Sequence, residues 1–274
     1  MAYFLTFLLT SLFVGNGLSR LNDLNTVESY MNICMLGKQH KSSPGPEKGL
    51  TSKICSPWAA RSCCTEDTAL DIHTNPTWLN FDWNHCGPLS AQCREHFIMD
   101  SCFYSCSPNV GPWLVKDVRK IRKERFKGVP LCKPVCDNWY EACKDDLTCT
   151  DEWAQNFNWS SGINKCPQGS TCKKFSEVFK HSSVKFCEKV FGSFKVVPES
   201  KDGTENCFHL WFDSKFPNPN EAVARRRAAE ILNVEYVQIE GAKLKDPNNA
   251  ISLGPAWGLS LLLSFLQTVL FKSS

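Results

Sequence analysis

Cysteine is the residue that most constrains how this chain can fold. The sequence has 16 cysteines among 274 residues, an even number that would form up to eight disulfides. Disulfides persist in oxidising compartments, so this content predicts an exported protein. Adjacent Cys63 and Cys64 cannot easily bond to each other, which predicts that they tie two different segments to this point. The pairing itself stays open. The predicted disulfide cysteines are Cys34, Cys55, Cys63, Cys64, Cys86, Cys93, Cys102, Cys106, Cys132, Cys136, Cys143, Cys149, Cys166, Cys172, Cys187 and Cys207.

Zinc binding is the alternative use of so many cysteines. Cys132, Cys136 and Cys143 recur at steps that place them on one helical face. Zinc sites with mixed ligands also need histidines near the cysteines. The six histidines are scattered along the chain, so the sequence favours disulfides and predicts no metal site.

Both ends of the chain carry apolar segments. Residues 1–19 contain an apolar run followed by small residues, which predicts a secretory signal peptide. The uncharged run from Trp257 to Phe271 has 15 residues, whereas a membrane-spanning helix needs roughly 20. A short apolar tail after small residues is typical of a GPI-anchor signal. We therefore expect a domain over residues 20–232, a stalk over 233–249, a lipid on Asn249, and removal of residues 250–274; Asn248 and Ser252 are the alternative attachment residues. A retained short span and an unprocessed tail are the alternatives.

The sequence predicts three longer helices and one short helix. Their predicted ranges are Asp23 to Leu36, Ser90 to Ser105, Pro130 to Cys149 and Val223 to Leu232. The last of these is predicted to lie on the surface. Four tryptophans are predicted to be core residues: Trp58, Trp83, Trp139 and Trp211.

Residues 86–159 combine three kinds of ligand-type chemistry. Asp100 lies in an apolar, cysteine-rich segment, and Arg122 and Arg125 lie three residues apart. An acid, a guanidinium pair and aromatic walls suit a flat heteroaromatic ligand with amide-like edges. The spacing alone favours an exposed helix carboxylate and a solvated basic run over a ligand site. The aromatic residues of this stretch are Phe103, Tyr104, Trp113, Trp139, Tyr140, Trp153, Phe157 and Trp159.

Charge and side-chain chemistry argue against two other functional classes. The net charge of +3 is too small to predict a nucleic acid partner, and the basic residues are concentrated in residues 116–127. No pairing of a nucleophile with a base is evident, so neither catalysis nor a cofactor is expected. The basic run outside its two arginines, including Lys116, Lys120 and Lys127, is expected at the surface.

Long motifs of this chain resemble those of the folate receptors. They are HFIMDSCFYSCSPNVGPW at residues 96–113, RKER at 122–125, NWSSGINKC at 158–166 and NPNEAVAR at 218–225. The same superfamily includes riboflavin-binding proteins and egg-surface adhesion proteins of the Juno type. The resemblance implies an α+β fold: one disulfide-rich domain with helices, short strands and long loops around an open groove.

The resemblance also implies which residues hold a folate. Asp100 would take the amino and N–H groups of the pterin ring, and Arg122 and Arg125 would donate to its acceptors. Ser193 would add a hydrogen bond, and Trp159 would lie near the glutamate. The implied aromatic walls are Tyr104 and Phe191 beside the ring, with Phe81 and Trp153 further out.

The chain departs from the family pattern at the mouth of the implied groove. Ile121 stands where the family has tryptophan, Leu79 replaces a wall tyrosine, and Gln155 replaces the lysine that faces the glutamate. These changes predict that binding depends on the pteroate part of folate more than on its glutamate. The competing interpretation is that Lys116 or Lys120 replaces the lost cation.

The resemblance implies a GPI-anchored receptor on the extracellular face of the plasma membrane. It would bind folate or reduced folates and carry them into endocytic vesicles without chemistry on the ligand. A Juno-type adhesion protein with a protein partner and a riboflavin carrier are the alternatives. Asn158, in Asn158-Trp159-Ser160, is the predicted N-glycosylation site.

Overall fold

The computed structural model describes residues 20–51 and 54–236. The predicted signal peptide, residues 237–249 of the predicted stalk, and the predicted anchor segment lie outside the described residues. Asn249 lies outside them too. Within the described ranges, no helix is both long and apolar enough to span a bilayer.

The described chain contains both helices and short strands, which confirms the predicted α+β class. The helices are α1 Val27–Met31, α2 Glu66–Thr74, α3 Ala91–Cys106, α4 Lys133–Cys143, α5 Phe175–Val178, α6 Ser183–Lys189 and α7 Asn220–Leu232. The strands are β1 Leu114–Lys116, β2 Glu124–Phe126, β3 Val129–Cys132, β4 Leu147–Thr148, β5 Lys173–Lys174 and β6 Phe194–Val197. Three short 3₁₀ helices cover Ser56–Trp58, Trp78–Asn80 and Gly111–Trp113.

The strands form three two-stranded sheets. β1 and β2 pair antiparallel, so residues 117–123 form the loop of a hairpin. β3 and β6 pair in parallel, with Val129 opposite Phe194. β4 pairs antiparallel with β5. The first sheet positions a basic loop, and the second fixes the segment just before β6.

All sixteen cysteines are bonded in eight disulfides, which confirms the predicted framework. Cys63 bonds to Cys34 and its neighbour Cys64 bonds to Cys106, so the pair ties two segments together as predicted. The remaining bridges are Cys55–Cys102, Cys86–Cys172, Cys93–Cys143, Cys132–Cys207, Cys136–Cys187 and Cys149–Cys166.

Helix α3 is the central element of the described fold. Ser90 caps its first turn by accepting a hydrogen bond from the Cys93 N–H at 3.3 Å. Three of the eight disulfides fix this helix, through Cys93, Cys102 and Cys106. Phe97 is 1% exposed and stacks on Trp153, with ring centroids 4.9 Å apart. These cross-links and this burial hold one face of α3 at a fixed distance from the loops around it.

The predicted helix from Asp23 to Leu36 is much shorter than expected. Thr26 caps the start of α1, which ends at Met31 with Asn32 as its C-cap. Beyond it the backbone pairs with a distant segment, because the Leu36 N–H donates to Glu124 Oε2 at 2.8 Å and Lys123 donates to the Leu36 carbonyl. These long-range bonds replace the helical ones after Asn32.

The predicted helix from Pro130 to Cys149 is also wrong at both ends. Residues 129–132 form β3 because they pair with β6, and the helix begins at Lys133 with a proline in its first turn. Residues 147–148 form β4. Periodicity alone could not show the pairing partner that converts each end to a strand.

The predicted core tryptophans divide into two groups. Trp58, Trp83 and Trp139 are buried as predicted, whereas Trp211 is 42% exposed, so that prediction is wrong. Helix α7 covers Asn220–Leu232 and buries several small side chains instead of lying wholly on the surface.

Candidate ligand-binding site

A cavity of about 530 Å³ opens beside α3. The helix contributes Asp100, Ser101 and Tyr104, and the loop of the β1–β2 hairpin contributes four successive residues. Small-molecule sites typically have volumes of this order and combine apolar walls with a few polar groups. The lining residues are Trp78, Leu79, Asn80, Phe81, Trp83, Asp100, Ser101, Tyr104, Arg119, Lys120, Ile121, Arg122, Phe126, Trp153, Ala154, Trp159, Gly162, Phe191 and Ser193.

Burial distinguishes the floor of this cavity from its mouth. Asp100 and Trp153 are buried, at 6% and 0% exposure, and form part of the floor. Trp159 is 41% exposed, and the lining residues Asn80 and Lys120 are exposed as well. A ligand in this cavity would therefore have one end shielded from water and the other end in contact with it.

The carboxyl group of Asp100 is the acidic group on the floor. Burial raises its pKa to about 8, so the free protein holds this carboxyl mostly protonated at neutral pH. Within the described ranges, no hydrogen bond or ion pair joins it to another side chain. A buried carboxyl without a partner is available to a ligand that brings N–H donors.

Arg122 lines the cavity and is held in place on two sides. Its Nε and Nη2 donate to Asp117 Oδ2 at 2.9 and 2.6 Å, and its Nη1 donates to the Tyr104 hydroxyl at 3.3 Å. Burial would raise the pKa of Asp117, but the hydrogen bonds and charges of Arg119 and Arg122 outweigh that effect and lower it. Asp117 therefore stays ionised and orients the guanidinium beside Tyr104.

Aromatic rings form the walls. Phe81 stacks on Trp153 with centroids 5.3 Å apart and lies 6.1 Å from the Trp159 ring. Phe191 lies 5.8 Å from Trp153 and nearly perpendicular to it. Rings in mutual contact lose little conformational entropy when a flat ligand covers them, which favours stacking of a heteroaromatic ring.

The segment that carries Phe191 and Ser193 is positioned from behind by Arg125. The Arg125 guanidinium donates to the carbonyls of Gly192 and Phe191, and Arg125 is not among the residues that line the cavity. Gly192 adopts a positive φ of 62°, a conformation that glycine tolerates without strain. The two arginines of the RKER motif thus differ: Arg122 faces the cavity, and Arg125 supports its wall.

The structure brings eight of the nine predicted ligand residues to this cavity, all except Arg125. It adds Trp78 and Trp83, for which the sequence predicted no ligand contact, and it brings Lys120, one of the two candidate replacement cations, to the same cavity. Leu79 and Asn80 both have positive φ, at 55° and 61°, and this turn presents Trp78 and Phe81 to one cavity. No sequence pattern predicted that turn, because neither residue is glycine.

Comparison with known proteins identifies the family of this chain. The model of the folate receptor family matches residues 33–209. Folate receptor gamma of Homo sapiens is 42% identical over 224 residues, which cover 81% of this chain and 90% of that protein. The chain belongs to the folate receptor family. The matched range contains every residue that lines the cavity.

The chain is also similar to two further relatives, a folate receptor and a riboflavin-binding protein. Folate receptor alpha of Homo sapiens is 43% identical over 201 residues, which cover 73% of this chain and 77% of that protein. Riboflavin-binding protein of Dromaius novaehollandiae is 34% identical over 171 residues, which cover 61% of this chain and 68% of that protein. The chain is thus more similar to these two folate receptors than to this riboflavin-binding protein.

Proposed function

We propose that this protein is a receptor that binds folate through its pterin ring, with no chemistry on the ligand. The observation that carries the proposal is the placement of Asp100 and Arg122 in one aromatic-lined cavity. The pterin ring is flat and has N–H donors along one edge and acceptors along another. A carboxyl and a guanidinium are complementary to those two edges, and the aromatic walls supply stacking area.

The burial of Asp100 adds specificity to this arrangement. A ligand without N–H donors would leave the buried carboxyl without a partner, which is unfavourable by about 1–3 kcal/mol. A ligand with donors of matching geometry would stabilise the ionised form. Ser193, whose hydroxyl donates weakly to the Phe191 carbonyl at 3.4 Å, is positioned to exchange that bond for one to a ligand.

Radioligand binding to cells that express the full-length protein tests this proposal. We expect saturable folic acid binding that excess unlabelled folic acid competes and excess riboflavin does not. Asp100→Asn should weaken it at least about thirtyfold, because removing one partner of a buried charged pair is unfavourable by roughly 2–5 kcal/mol. Asp67→Asn, which changes an exposed carboxyl on α2, is the matched control.

Three outcomes would contradict the proposal. Riboflavin binding in place of folate would identify a flavin carrier. Binding of neither vitamin by correctly displayed protein would favour the adhesion class with a protein partner. Unchanged folate binding by Asp100→Asn would remove Asp100 from the site.

Our proposal includes attachment to the outer face of the plasma membrane by a GPI anchor on Asn249, followed by endocytic uptake of the bound folate. Family membership and the short apolar tail support it. Treatment of cells with phosphatidylinositol-specific phospholipase C should release the protein together with a known GPI-anchored control. Retention of this protein while the control is released would contradict the anchor.

We also expect an N-linked glycan on Asn158. This residue is exposed, and its backbone pairs with Lys165 in an antiparallel bridge. Side chains of adjacent residues in extended backbone point to opposite sides, so a glycan on Asn158 leaves Trp159 free to line the cavity. N-glycosidase should lower the mass of the protein, and Asn158→Gln should remove that shift. An unchanged mass in the treated parent protein would exclude the glycan.

A further inference from the structure

We propose that Lys120 forms an anion-binding subsite at the mouth of the cavity for the glutamate carboxylates of a folate, which extend beyond the benzoate group at the end of the pteroate part. The inference rests on the proposed function, because it describes the outer end of the same ligand. The residue that determines specificity for the carboxylates would thus lie in the hairpin loop. In the family pattern, the corresponding lysine lies in the segment after Trp153.

The position of Lys120 supports this role. It lies in the loop of residues 117–123 between β1 and β2, and it lines the cavity although its side chain is exposed. Asp100, in contrast, is 6% exposed on the floor of the same cavity. A ligand whose ring reaches Asp100 must therefore extend toward the exposed rim where Lys120 and Trp159 lie.

The charges around the mouth favour an anion. Arg119 and Arg122 share the carboxylate of Asp117, at 3.0 and 2.6 Å. In the part of the chain that the structure describes, Lys120 makes no hydrogen bond or ion pair. Asp100 is the sole acidic residue among the lining residues, and burial raises the pKa of its carboxyl to about 8. The lining therefore presents a cation whose charge no neighbouring carboxylate neutralises.

The two other candidate cation positions do not reach the cavity. Gln155, which occupies the position of the family's lysine, is exposed and does not line it. Lys116, at the end of β1, is exposed and does not line it either. Of the two lysines that the sequence analysis offered as replacements, the structure places Lys120 at the mouth.

The expected contribution of Lys120 to ligand affinity is modest because the mouth of the cavity is open to water. Exposed ion pairs contribute little to affinity, whereas charge-assisted hydrogen bonds that are shielded from water contribute more. A half-shielded contact should therefore change affinity about three- to tenfold. The effect should diminish at high ionic strength, because salt screens exposed charges.

The test compares folic acid with pteroic acid, which lacks the glutamate, on cells that express the full-length protein. Lys120→Gln should weaken folic acid binding about three- to tenfold and leave pteroic acid binding unchanged. Lys116→Gln, on the same hairpin but outside the cavity, is the matched control and should preserve both affinities. Repeating the measurement at high salt should reduce the difference between the parent protein and Lys120→Gln.

The outcomes separate this inference from the proposed function. If the parent protein binds folic acid and Lys120→Gln keeps the parent ratio of folic to pteroic acid affinity, the subsite is wrong and the receptor function stands. If Lys120→Gln weakens both ligands equally, Lys120 does not contact the carboxylate and the subsite is again wrong. If the parent protein binds neither ligand, the proposed function itself fails.

Discussion

At the residue scale, the chemistry of the cavity depends on the protonation of the Asp100 carboxyl. It is buried, and burial raises its pKa to about 8. A ligand that donates N–H groups to it stabilises the ionised form and so lowers its pKa in the complex. Binding of such a ligand then releases a proton wherever the pH lies between the two pKa values.

Folic acid binding should therefore weaken as the pH falls. Between pH 7 and pH 5 the free protein holds the Asp100 proton, and we expect affinity to drop about tenfold for each pH unit. Equilibrium binding at several pH values measures this slope. Asp100→Asn, which has no proton to release, should show weak binding with a flat profile. A parent profile as flat as that of the variant would show that the ligand does not bind the ionised carboxyl.

At the element scale, α7 shows why the NPNEAVAR motif matters for the fold. Asn220 is fully buried at the start of this helix. Its amide accepts from the His209 N–H at 2.8 Å and donates to the His209 carbonyl at 2.9 Å. It thus pairs two backbone groups of a distant loop, and the helix itself packs against α1. The motif is structural: none of its residues lines the ligand cavity.

Asn220→Ala should lower the free energy of unfolding by about 1–3 kcal/mol, because it removes the partners of both His209 backbone groups at a part-buried position. Urea denaturation of the purified protein with its disulfides intact measures this change. Asn25→Ala, at an exposed position before α1, is the matched control and should stay within about 0.5 kcal/mol of the parent. A loss below 1 kcal/mol in Asn220→Ala would mean that water or a rearranged loop replaces the amide.

At the scale of the whole molecule, buried titratable groups set how stability depends on pH. The pKa of Asp100 is raised to about 8, so the folded state binds more protons than the unfolded state from its ordinary pKa of 3.8 up to pH 8. Its contribution to stability therefore falls as the pH rises through that window. Burial lowers the pKa of His40 from 6.5 to about 4, so its contribution is lost as the pH falls through that window. Burial also lowers the pKa of His85 and His96, so their contributions to stability are likewise lost as the pH falls.

These opposing contributions predict how Asp100→Asn will respond to acid. Between pH 7 and pH 5 the parent protein gains stability from Asp100 and loses it through the histidines. The variant keeps only the loss, so acidification should destabilise it by about 2–3 kcal/mol more than the parent protein. Urea denaturation at both pH values measures this difference, with Asp67→Asn expected to follow the parent protein. Equal acid sensitivity in Asp100→Asn and the parent would contradict the raised pKa.

The sequence by itself determined the parts of this protein that depend on local chemistry. The cysteine content predicted a disulfide framework, and the family motifs placed Asp100, Tyr104 and Arg122 in one site. Helix α3 was predicted nearly to its ends, because an uninterrupted hydrophobic pattern with a serine cap needs no distant partner.

Tertiary structure decided whatever depends on distant partners. The disulfide pairing, the strands at residues 129–132 and 147–148, and the short α1 all follow from long-range contacts that periodicity does not encode. The same holds within the site: Arg125 bonds to the Gly192 carbonyl and so lies behind the wall, while Lys120 reaches the mouth because a hairpin loop carries it there. A side chain's neighbours along the sequence identify its chemistry, but packing between distant segments decides what that chemistry faces.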